Sequence, residues 1–120
     1  KLPRKATRMK LWVDDIRPMP TDFDFHVKTT DAAIELLSSK NITEISLDHD
    51  LGDENIVGSG YRIALWIEHA AYRDQIPRLK WSLHTANPVG KNKMEMALDK
   101  ADYHWDYHER SNLPKKRGRK

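Results

Sequence analysis

Asp14 and Asp15, then Asp48, His49 and Asp50, then His84, Thr85 and Asn87 form three polar clusters, each directly after a short apolar run. Carboxylates are hard oxygen donors for a cation such as Mg²⁺ or Mn²⁺. Imidazoles titrate near neutral pH, so they can take up and return a proton. Hydroxyl and amide side chains can hold a phosphate oxygen. Together these groups permit cleavage of a phosphoester. Asp14, Asp15 and Asp48 would hold the metal, His49 and His84 would act as acid and base, and Thr85 and Asn87 would bind the phosphate. Any one cluster alone reads more simply as a turn or a helix cap, since Asp and Asn favour both. Three at once point to a site. Carboxylates gathered together repel one another unless a cation or a proton joins them.

The elements between must bring the clusters together. Residues 10–15 read as a buried strand ending in two acids. Pro18 and Pro20 stop it, because they lack the amide hydrogens that a ladder needs. Residues 23–29 alternate apolar and polar side chains and read as a second strand near the sheet edge. Thr30 is the expected N-cap of a helix with Ala33, Ile34 and Leu37 on one face, ended by Asn41. Residues 42–47 form a third strand, and residues 52–60 a loop with three glycines. Residues 61–72 form a helix with Ile63, Ala64, Ile67 and Ala71 inward, ended before Pro77. Residues 79–84 form a fourth strand, and residues 91–100 a helix with Met94, Ala97 and Leu98 inward. Residues 102–108, aromatic and polar, fit a short edge strand or a helical cap. Trp12, Trp66, Trp81 and Trp105 read as packing residues, and His26, His69, His104 and His108 as structural ones. Strands alternating with helices predict an α/β fold with an open parallel sheet. In such sheets ligands bind outside the carboxyl ends of the strands, where all three clusters fall. Gly58-Ser59-Gly60, just before a helix, offers backbone amides to a phosphate, which makes Ser59 and Gly60 further binding candidates.

The chain of 120 residues is long enough for one domain. It has no cysteine, which excludes a disulfide framework, a thiolate metal site and a cysteine nucleophile. No apolar run approaches the length needed to span a bilayer, so a cytoplasmic protein with no membrane partner is expected. The net charge of +3 conceals a split. Residues 1–10 carry five basic side chains and residues 110–120 carry six, both without an acid; the stretch between is net −8. The expected organisation is a basic segment over 1–9, a folded domain over 10–108 and a basic, disordered tail over 109–120. Lys115, Lys116, Arg117 and Arg119 surround an Arg-Gly-Arg step similar to an AT-hook core. They are candidates for contact with DNA or RNA, against the simpler reading of a solubilising end.

The strand-end pattern resembles the receiver domain of response regulators. There, an acidic pair follows the first strand, a phosphate-accepting aspartate follows the third, and Thr or Ser ends the fourth. Asp14 and Asp15, Asp48, and Thr85 stand at those positions. The resemblance implies a flavodoxin-like sheet in the order second, first, third, fourth strand, with helices on both faces. The first receiver helix is missing, since residues 16–22 are too few for it, and no fifth strand ending in lysine is visible. Two histidines are added, His49 and His84. Leu47-Asp-His-Asp-Leu-Gly52, Gly58-Ser-Gly60 and His84-Thr-Ala-Asn-Pro-Val-Gly90 with Met94 resemble a narrower group, the cyclic-phosphate processing receiver domain, found in phages and bacteria. That resemblance implies a phosphoesterase acting on a cyclic-phosphate nucleotide or RNA end, a hydrolase with Mg²⁺ or Mn²⁺. The competing readings are a module that accepts phosphate on Asp48 and a non-catalytic module that binds a nucleotide or a partner.

Overall fold

Side-chain alternation along the strands decides how the sheet sits. The computed structural model describes residues 8–112. Its elements are β1 (Met9–Val13), β2 (Phe25–Val27), α1 (Thr30–Ser39), β3 (Ile42–Leu47), α2 (Glu54–Val57), α3 (Gly60–Tyr72), β4 (Lys80–Leu83) and α4 (Pro88–Ser111). The four strands pair in parallel in the expected order, β2-β1-β3-β4. The register aligns Leu11 with Phe25 and Ile45, and Ile45 with Trp81; it likewise aligns Val13 with Val27 and Leu47, and Leu47 with Leu83. These side chains share one face because successive residues alternate. Lys10, Trp12, Glu44, Ser46, Lys80 and Ser82 share the other. A register shift opposite Met9 lets Ile42 join the core along with Ile45.

The helices are placed by the connections. The crossovers from β2 to β3 and from β3 to β4 step the same way across the sheet. Right-handed crossovers therefore put α1 and α3 on the same face. α4 packs along α3, which completes a row. Ala33 and Leu37 of α1, Ile63 and Ile67 of α3, and Met94, Leu98 and Trp105 of α4 are buried in one cluster with Leu11, Val13, Ile45 and Leu47. Each fully buried aliphatic side chain of this kind contributes about 1.5–3 kcal/mol. This row corrects the expectation of helices on both faces. The step from β1 to β2 runs in the opposite direction across the sheet, and no helix lies within it. Residues 14–24 instead cross the polar face, where Phe23 meets Trp12 edge to face at 5.3 Å and Asp22 binds the Lys10 amine at 2.6 Å.

Caps and ends sharpen other expectations. Thr29, not Thr30, caps α1, its hydroxyl accepting the Ala32 amide at 3.1 Å. Thr30 is buried, and its hydroxyl exchanges hydrogen bonds with the Ser59 backbone. Residues 102–108 form neither an edge strand nor a cap, because α4 continues unbroken to Ser111. Trp105 is buried there and donates its Nε1 hydrogen to the Ile76 carbonyl at 3.1 Å. Asp102, Asp106 and Glu109 gather around Arg78, from the segment just before β4. Tertiary contacts thus extend a helix whose own apolar pattern is thin. No described helix is long and apolar enough to cross a membrane. Lys115, Lys116, Arg117 and Arg119, with the expected disorder of the tail, lie outside the described residues.

Candidate functional site

The backbone ladder continues one step past the strands and sets the three polar clusters side by side. The Asp14 amide donates to the Val27 carbonyl (3.2 Å), the Asp48 amide to Val13 (3.0 Å) and the His84 amide to Leu47 (3.0 Å). Adjacent parallel strands therefore end level, and their polar continuations meet at one sheet edge. An open cleft of about 690 Å³ lies there, lined among others by Asp15, Arg17, Asp48, Asp50, Thr85 and Asn87.

Asp14 is the fixed post of this edge. It is 1% exposed. Its Oδ1 accepts the amides of Ile16 (2.8 Å) and Arg17 (2.9 Å), and its Oδ2 faces His84 Nε2 at 2.9 Å. Burial works to raise its pKa, but the two amides and the imidazole outweigh it and hold the carboxyl below its ordinary value. One oxygen from each of Asp14, Asp15 and Asp48 can be chosen so that all lie within 4.8 Å of one another. Three converging hard donors suit Mg²⁺ or Mn²⁺, so the acidic cluster is able to hold a metal. The Asp48 Oδ1 accepts the amide of His49 at 2.8 Å.

The two histidines have different placements. Burial pushes the pKa of His84 below its ordinary value and favours the neutral ring, outweighing the Asp14 carboxylate, which favours the charged one. A carboxylate can only accept, so Nε2 carries the hydrogen. Nδ1 then accepts the Ser46 hydroxyl at 2.8 Å, and Ser46 accepts that of Ser82 at 3.1 Å. The ring also stacks on Trp12, with centroids 3.9 Å apart and planes 3° from parallel. Both ring nitrogens thus face protein groups. The ring expected to act as an acid or base therefore contacts Asp14 and Ser46. His49 lies against α4. Its Nδ1 meets Asp50 Oδ1 at 2.8 Å, with Asn87 Nδ2 3.5 Å away. Its ring occupies the space that a Cβ on Gly90 would need.

Thr85 and Asn87 line the cleft. Asn87 caps α4 by accepting the Gly90 amide at 3.0 Å, and Thr85 Oγ1 accepts the Asn87 amide at 3.1 Å. Ser59 and Gly60 do not join them. The Ser59 amide donates to Thr30 Oγ1 and the Gly60 amide to the His49 carbonyl at 2.9 Å, while Ser59 Oγ caps α3. The amides expected to cradle a phosphate are already bonded. Gly60 is required for a different reason: a Cβ there would overlap the Asp48 carbonyl.

Arg17 joins the site although its sequence neighbourhood reads only as a strand stop. Its Nη1 donates to the His84 carbonyl at 2.6 Å and stands 3.4 Å from Asp14 Oδ2 and 4.0 Å from Asp48 Oδ2. Its one sequence signal is that of a lone cation shortly after an acidic pair, within a stretch of net −8. Ser46 and Trp12 carry no such signal, since their role arises only when the strands pair. His26, expected to be structural, bonds through Nε2 to the Asp14 carbonyl at 2.7 Å.

No curated protein and no solved structure matches the chain. A family model described as the cyclic-phosphate processing receiver domain matches residues 9–100, from the start of β1 well into α4 and across every strand-end cluster. With the parallel sheet and the carboxyl-edge acidic cluster already in place, that match makes the chain a member of the cyclic-phosphate processing receiver domain family.

Proposed function

We propose that this chain hydrolyses a cyclic phosphodiester, on a nucleotide or an RNA end, with a divalent metal ion held by Asp14, Asp15 and Asp48. The observation that carries the reading is the convergence of those three carboxylates, two of which, Asp15 and Asp48, line an open cleft. Family membership narrows the substrate to a phosphate-bearing one. Mg²⁺ or Mn²⁺ there would offset charge on the phosphate and orient it. Water forms the new bond to phosphorus, one ring P–O bond breaks, and the product is a phosphomonoester with a freed hydroxyl. His49 is the proton acceptor for that water. Asp50 fixes its tautomer by taking the Nδ1 hydrogen, which leaves Nε2 as the basic nitrogen. The departing ring oxygen takes its proton from solvent in the open cleft. Thr85 retains a hydroxyl hydrogen for a phosphate oxygen, because its oxygen is already an acceptor for Asn87. His84 acts through Asp14, holding the carboxylate and its orientation.

The test is incubation with 2′,3′- and 3′,5′-cyclic nucleoside phosphates, with and without Mg²⁺ or Mn²⁺, and analysis of the products. His49→Ala should lose about 10²–10⁴-fold in rate and keep a melting temperature near that of the parent. Wild-type turnover in that variant would remove His49 from the chemistry. If the parent cleaves none of the panel while a small phosphodonor labels Asp48, the phosphate-accepting reading replaces hydrolysis.

A further inference from the structure

Arg17 is the only basic side chain in the cleft lining among the described residues, beside Asp15, Asp48 and Asp50. Its backbone is fixed: its amide donates to Asp14 Oδ1, and its carbonyl accepts the Trp12 indole hydrogen at 3.2 Å. The side chain is 47% exposed. Its guanidinium reaches these neighbours through Nη1, the His84 carbonyl at 2.6 Å and Asp14 Oδ2 and Asp48 Oδ2 at 3.4 and 4.0 Å. The carboxylate distances are longer than the roughly 2.7–2.9 Å of a well-made charge-assisted hydrogen bond. The guanidinium therefore rests beside these acids without being locked to them.

Asp14 and Asp48 are also two of the three residues proposed to hold the metal. A divalent ion there would take carboxylate oxygens as ligands and would repel a guanidinium drawn to the same residues. A guanidinium matches phosphate well, since its planar fork can donate two parallel hydrogen bonds. We propose that Arg17 exchanges partners: it neutralises Asp14 and Asp48 when no metal is bound, and turns to the phosphate of the substrate when a metal takes those carboxylates. This inference rests on the metal-assisted reading of the site. It adds that the two cations compete for the acids and that the one displaced recognises the anion.

The experiment compares the parent chain with Arg17→Gln and Arg17→Lys by calorimetric titration, first with Mn²⁺ or Mg²⁺ alone, then with inorganic phosphate at saturating metal. No turnover is needed. Arg17→Gln should bind metal about three- to tenfold more tightly, because a competing cation is gone, and phosphate at least tenfold more weakly. Arg17→Lys should fall between, keeping the charge but not the fork. A residue that merely supports the fold would shift both affinities the same way, and that result overturns the exchange. So does a variant that binds metal no more tightly than the parent. If neither parent nor variant binds metal at millimolar concentration, the metal reading fails and the exchange fails with it. Binding by the variant alone would also overturn the exchange, since Arg17 would then hold the acids without yielding them to a metal.

Discussion

Two arginines in this molecule each face carboxylates at a helix or strand end, and they do so differently. Arg78 meets Asp102, Asp106 and Glu109 with all three guanidinium nitrogens: Nε and Nη2 bond Glu109 at 3.0 and 3.1 Å, Nη2 also bonds Asp106, and Nη1 lies 3.6 Å from Asp102. The hydrogen bonds to Glu109 lead the forces that raise its pKa. Arg17 meets Asp14 and Asp48 through one nitrogen at longer range. Both side chains are partly exposed, 37% and 47%, so solvent does not separate them. Matching does. A fork that reaches a carboxylate with every nitrogen ties a helix to the segment before a strand. A fork that meets converging acids through one nitrogen leaves room for ligands.

The comparison can be broken most severely at the cleft. Asp48→Asn should weaken Mg²⁺ or Mn²⁺ binding at least tenfold, about 1.4 kcal/mol, with the melting temperature little changed, since Asn can still accept the His49 amide. Unaltered metal affinity by calorimetry would remove Asp48 from the metal set. A change at the other cluster should give the reverse pattern. Arg78→Ala should cost about 1 kcal/mol, given how little exposed ion pairs contribute. That lowers the thermal midpoint by roughly 4–8 °C and leaves metal affinity where it was, because Asp14, Asp15 and Asp48 lie outside α4. A loss of metal binding in Arg78→Ala would mean that the two clusters are not independent. The smallest effect concerns His84. Its folded pKa lies below the ordinary value of about 6.5. Between the two values the unfolded chain carries more protons, so stability rises with pH across that window and is lost as pH falls through the folded value. His84→Gln should flatten that slope in denaturant titrations taken from neutral pH downward. An unchanged slope would assign the pH dependence to other groups.

Much of this is legible in the sequence, where a feature depends on neighbours along the chain. Asp14, Asp48 and His84 each end an apolar run, and parallel pairing alone brings such ends to one edge. The strand order comes with the family resemblance. Features set by distant residues are not legible. The last turns of α4 carry mostly polar side chains, and Arg78 and Ile76, from before β4, hold them. Helices on one face result from handedness together with the helix-free stretch 14–24, and composition does not express that. Gly58-Ser59-Gly60 reads like a phosphate loop until Thr30 and His49 take its amides. His84 looks interchangeable with His49 until Ser46, brought by β3, fills its second nitrogen.

α4 is also a lever. It starts at the cleft, where Asn87 caps it and Gly90 bears against His49, and it is clamped far away by Trp105 and the Arg78 cluster. From the Trp105 clamp to Asn87 the arm is roughly 27 Å at 1.5 Å per residue. A tilt of about 2° at the clamp therefore carries the cleft end by roughly 1 Å, a displacement large enough to cost an enzyme about a hundredfold in rate. Met94, Ala97 and Leu98, buried between the two ends, hold the arm against such a tilt, so the position of the His49 side of the cleft depends on packing along the whole helix.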